Sequence, residues 1–127
     1  MRIYLSHPRG DYDFREFFYE PIQASAIAKQ HEFIYPHERD YGSSPRNMKE
    51  EIKKASIIIA EVSRPSTGSG IELGWAEAYD TPTLCLYQRG RDYSRSLLVV
   101  TRHIEQYSGK DDMVEKIEKF LANNPRP

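Results

Sequence analysis

The 127-residue chain is poor in several features, and each shortage narrows its reading. A single cysteine, Cys85, leaves no partner for an intramolecular disulfide. Its apolar neighbours predict a buried thiol in a reducing compartment. No apolar run approaches the roughly 20 residues of a membrane span. Met1-Arg2-Ile3-Tyr4-Leu5 lacks the long apolar region of a signal peptide, so a cytoplasmic protein is expected. A formal charge of -1 carries no basic excess of the kind that announces nucleic-acid binding. Repeats and low-complexity linkers are missing too. His37-Glu38 has no second histidine at helical spacing and so gives no metal signature. One compact domain over residues 1–127 is expected, burying roughly two thirds of its unfolded surface, with no metal and no cofactor called for.

What is present alternates between strand and helix patterns. Arg2 to Ser6, Glu32 to Tyr35, the run from Ile57 to Val62, Thr83 to Tyr87 and His103 to Tyr107 read as strands. Between them, Asp13 to Lys29 carries an apolar stripe of Phe14, Phe17, Phe18, Ile22, Ala26 and Ile27, with a kink or restart expected at Pro21. A helix capped by Ser43 or Ser44, with Pro45 in its first turn, runs to Lys54. Asp111 to Ala122 closes the chain, and Ser96 to Val100 reads as a short helical stretch. The pattern predicts an α/β fold: a Rossmann-like (flavodoxin-like) three-layer sandwich around a five-stranded parallel sheet. Pro36 to Pro45 reads as a polar loop over the ligand edge, and His37 within it as solvated. His7 reads as ordinary turn chemistry. Arg89, Arg91 and Arg95 form a local basic cluster that either attracts a phosphate or simply meets solvent.

The organising stretch is ASIIIAEVSRPSTGSGIELGWAEA, residues 55–78. A β-branched run reads as a strand buried on both faces. Eight residues from Ser63 to Gly70 follow without an apolar side chain, and the helical pattern starts at Ile71. Strand, small-residue turn and helix together point free N–H groups at an anion. Gly68-Ser69-Gly70 is not the dinucleotide fingerprint, because the third glycine of that motif falls at Leu73. Its glycines are expected to supply unusual backbone angles and close approach. Glu72 then sits in the first helical turn, where the macrodipole favours a carboxylate. Spacing alone fits two roles equally, a helix-starting residue and an ionised nucleophile beside a bound anion.

The wording of AEVSRPSTGSGIELGWA resembles the nucleoside 2-deoxyribosyltransferase family, and most closely its 2'-deoxynucleoside 5'-monophosphate N-glycosidase branch. The similarity extends back to Ile3-Tyr4-Leu5 and forward through Leu84-Cys85-Leu86-Tyr87 to Ser96. The resemblance implies that Glu72 attacks C1' of the sugar and that Tyr4 orients it. It implies that Ser66 and Gly68, in a turn completed by Ser69 and Gly70, hold a 5'-phosphate. Arg9 matches a basic residue of the first loop, and Ser96 one that reaches the neighbouring subunit's phosphate, which requires a homodimer with shared sites. The branch places an acid for the leaving base where this chain has Met48, next to Asn47. The implied reaction is hydrolysis of a (2'-deoxy)nucleoside 5'-monophosphate to free base and sugar 5-phosphate, with no metal. Transfer of 2-deoxyribose between bases and nucleotide sensing without turnover are the alternatives.

Overall fold

The computed structural model describes residues 1–38 and 47–126. Ser43, Ser44 and Pro45 lie outside the described residues, as does most of the expected loop. Five parallel strands form one sheet in the order β2-β1-β3-β4-β5, with β1 Arg2–Ser6, β2 Glu32–Ile34, β3 Ile57–Glu61, β4 Thr83–Gln88 and β5 Ile104–Tyr107. This is the expected α/β architecture, with strand ends displaced by a residue or so.

Strand alternation sorts the core into two layers. Ile3, Leu5, Ile57 and Ile59 face Phe14, Phe18 and Ile22 from the segment after β1 and Met113, Ile117 and Phe120 from α5 (Lys110–Asn123). Tyr4, Ile58, Ala60 and Cys85 face α3 (Met48–Lys54) and α4 (Thr67–Ala78) through Ile52, Leu73 and Ala76. Burial pushes the Cys85 thiol up to about 12. The buried thiol read from the sequence is therefore what the structure contains.

The expected helix over Asp13 to Lys29 is instead three pieces. A wide π turn spans Arg15–Tyr19, α1 covers Glu20–Gln23 and α2 covers Ile27–Gln30. Pro21 lies in the first turn of α1 and has no N–H to donate backward, which suits the change from wide to regular turns at that point. The full break comes later, at Ser25. Its hydroxyl donates to the Ile22 carbonyl at 2.7 Å, competing with the helix ladder.

The α3 helix also starts differently from expectation. Asn47 is its N-cap, with Oδ1 accepting from the Glu50 N–H at 3.2 Å. The short helical stretch expected after β4 is present as a 3-10 helix, Arg95–Val99. Among the described residues, no helix is long and apolar enough to cross a membrane.

The strand order matters for function. From β1 the chain moves outward to β2 and then crosses back to β3 on β1's other side, with Tyr4 beside Ile58 and Ser6 beside Ala60. The loops leaving β1 and β3 therefore diverge at their carboxyl ends and open a crevice, the usual ligand site of such sheets.

Candidate active site

The β3–α4 connection builds one wall of that crevice. Ser66 is extended (φ -152, ψ 121), and its Oγ accepts the Ser69 N–H at 3.3 Å. This cap starts α4 at Thr67, four residues before the position expected from the helical pattern. Glu72 accordingly falls in the second turn rather than the first, where the dipole's influence has largely faded. Gly68 and Gly70 do not adopt positive φ, and a Cβ at either would meet nothing within 4 Å. The unusual backbone angles expected of them are thus absent, and both leave open space beside the helix start. The Thr67 and Gly68 N–H groups, the first two of the helix, have no partner among the described residues.

Glu72 is held from below by β1. Tyr4 and Ser6, two residues apart on the same strand face, both aim hydroxyls at it. Tyr4 donates to Oε2, and Ser6 donates to Oε1 at 2.8 Å. Burial raises the Glu72 pKa above the ordinary carboxylate range, against the pull of these two bonds toward the ionised form. The Tyr4 hydroxyl is itself shifted upward, first by burial and then by the Glu72 charge. Tyr4 Oη also lies 3.3 Å from Met48 Sδ. The hydroxyl's single proton goes to the carboxylate, the stronger acceptor, so Met48 is a contact and not a competing partner.

Above Glu72 lies a cavity of about 510 Å³, lined by Arg9, Met48, Ser66, Gly68, Ser69 and Glu72 together with His7, His37, Ile71 and Trp75. Ser69 is 6% exposed, and its hydroxyl has no partner among the described residues. Gly70 and Ser96 line a different cavity, of about 870 Å³, on the far side of the Ser66 turn. Of the residues singled out in the sequence, Asn47 has its side chain committed to capping, and Ser96 stands apart from its own chain's Glu72.

Several lining residues went unnoticed in the sequence. Ser6 could have been found from its period-two relation to Tyr4. His7 and His37, read as turn and solvated loop, are instead 3% exposed and half-buried. His7 Nδ1 meets the Pro8 carbonyl at 2.8 Å and must donate there. Burial holds its pKa down to about 4, so the ring is neutral and Nε2 accepts from the Tyr19 hydroxyl at 2.7 Å. Tyr19 in turn accepts the His37 backbone N–H at 3.1 Å. One hydroxyl thereby ties the loop after β1 to the segment after β2.

No family model matches the chain. A Thermofilum pendens protein named "Putative 2'-deoxynucleoside 5'-phosphate N-hydrolase 1" is 26% identical over 139 aligned positions, covering 98% of this chain and 97% of that one. A Syntrophotalea carbinolica protein of the same name is 44% identical over 48 residues, 38% of this chain and 34% of the relative. The resemblance holds. A mouse protein, 5-hydroxymethyl-dUMP N-hydrolase, adds 48% identity over 42 residues, 32% of this chain and 24% of the relative. These two matches span only about a third and a quarter of those relatives. Among solved structures, the Clostridium botulinum CMP N-glycosidase BcmB superposes with a TM-score of 0.66 at 22% identity, covering 93% of this chain and 99% of that one, which shows a shared fold.

Proposed function

We propose that the protein hydrolyses the N-glycosidic bond of (2'-deoxy)nucleoside 5'-monophosphates, releasing the base and a sugar 5-phosphate, with Glu72 as nucleophile. The observation that carries this reading is the buried Glu72 carboxylate, aligned by two hydroxyls and open to a cavity of nucleotide size. Glu72 attacks C1' as the bond to the base breaks through an oxocarbenium-like transition state, and water then resolves the glycosyl-enzyme ester. Tyr4 and Ser6 orient the carboxylate and favour its ionised form. The 5'-phosphate sits at the start of α4, against the Thr67 and Gly68 N–H groups, the Ser66 and Ser69 hydroxyls and Arg9 across the cavity. The names of the relatives support a nucleotide N-hydrolase over other users of this fold.

The assembly proposed is a homodimer with shared sites. Support comes from Ser96, which lines the far side of the turn that Ser66 caps, beside the exposed Leu98 and Val99. A partner copy docked there brings its own Ser96 toward this chain's phosphate.

The deciding experiment is incubation with each deoxynucleoside monophosphate, its ribo counterpart and the free nucleosides, following base release. Release from monophosphates and little from nucleosides is expected. Exchange of one base for another would assign a 2-deoxyribosyltransferase. Binding without release would assign a nucleotide sensor, a second reading that Met48 favours by standing where the resemblance calls for an acid.

A further inference from the structure

An N-glycosidase that forms a glycosyl-enzyme also has to protonate the departing base, and Met48 cannot. The described groups around the cavity leave few substitutes. Tyr4 has its proton on Glu72. His7 has both ring nitrogens engaged, with Pro8 and Tyr19. Arg9 never gives up its proton. His37 is different: its backbone N–H and carbonyl are bonded to Tyr19 and Arg15, while neither ring nitrogen meets a described residue. Its ring stands edge-on to His7 at 5.2 Å and to Phe14 at 6.0 Å, so it is positioned while its polar edge stays available to the cavity.

We propose that His37 is the general acid for base departure, in place of the carboxylate that Met48 displaces. The proposal rests on the hydrolase reading above. In the first step a Glu72 oxygen bonds to C1', the C1'–N bond breaks with its electron pair going to the base, and the His37 imidazolium gives its proton to a base nitrogen or oxygen. In the second step water adds to C1' and the ester electron pair returns to Glu72. The proton released by water recharges His37, so the cycle closes without another reagent.

The surroundings fit the task. Burial comes first, then the Arg9 and Arg15 charges, in making His37 give up a proton more readily. Both arginine charges act against the protonated ring, as burial does, so the imidazolium is a stronger acid than a free one.

The test compares wild type with His37→Gln on two substrates across pH. One is the monophosphate that wild type cleaves best. The other is 4-nitrophenyl 2-deoxyribose 5-phosphate, whose leaving group needs no proton. His37→Gln should lose roughly 10²–10⁴-fold in kcat on the nucleotide with little change in KM, the range expected for a lost general acid. It should keep the nitrophenyl activity within a few-fold and lose the alkaline fall of the nucleotide profile. Equal losses on both substrates, or no loss on the nucleotide, would overturn the assignment and leave the hydrolase reading standing. Failure of wild type to cleave either substrate would instead overturn the hydrolase reading itself. Matched thermal melts of the two proteins exclude a folding defect.

Discussion

Glu72 is set by two opposed influences, burial that favours the neutral acid and two hydroxyl donors that favour the anion, and burial is the larger. The sign for stability follows. Because the folded pKa lies above the unfolded one, the stabilisation from the protonated form is complete below the unfolded value of about 4.3 and is lost as pH rises through the folded value. Glu72→Gln should therefore melt several degrees higher than wild type at pH 7, with the gap closing below about pH 4, while base release is abolished. Calorimetric melts at the two pH values check this, and a gap that widens in acid would contradict it. Tyr4→Phe removes one of the two bonds that resist burial. A hydrogen bond to a charged group contributes about 1.5–3 kcal/mol, and about 1.4 kcal/mol is one pH unit. The acid limb of kcat/KM should thus move up by roughly one to two units, read from a pH–rate profile.

At the scale of elements, the loop that carries Ser66 is anchored by a second buried acid on the opposite sheet face. Glu61, fully buried at the end of β3, accepts from the Ser63 N–H at 2.7 Å, from the Ser63 hydroxyl at 2.9 Å and from the Tyr107 hydroxyl. Ser63 Oγ in turn accepts the Gln88 N–H at 2.7 Å, joining β3, β4 and β5 just ahead of the site. Glu61→Ala strands these donors, each at a cost of about 1–3 kcal/mol. A loss of about 3 kcal/mol or more is expected in urea denaturation, and an unchanged midpoint would show the donors finding other partners. The strands were legible because buried parallel strands are written as β-branched runs, as in Ile57-Ile58-Ile59. The start of α4 was misread because Gly-Ser-Gly suggests a loop by propensity, whereas the Ser66 cap decides. Glu72 and Tyr4 were reachable through the wording of one motif. His37 was not: its burial comes from Phe14 and His7, residues far away in sequence, and a local pattern carries no trace of them.

For the whole molecule, Ile71, Leu98 and Val99, at 50%, 51% and 80% exposure, are the most exposed large apolar side chains among the described residues and suit a two-fold contact. Val99→Asp with Leu98→Asp should shift the proposed dimer to monomer in light scattering and lower activity with it. Hybrids of Glu72→Ala and Ser96→Ala subunits, which keep one intact site, should be more active than either parent dimer. Mixtures no better than the parental average would count against sharing. The order of the strands has one more consequence, and it concerns time. Glu72 is 68 residues from Tyr4 and 66 from Ser6. The strand carrying both hydroxyls sits between β2 and β3, so it is fixed only when chain from both sides has arrived. Closing such distant pairs is the slow part of folding, whereas helices form early. After dilution from denaturant, helical circular dichroism should recover first and base release last, making turnover a stopwatch for closure of the sheet.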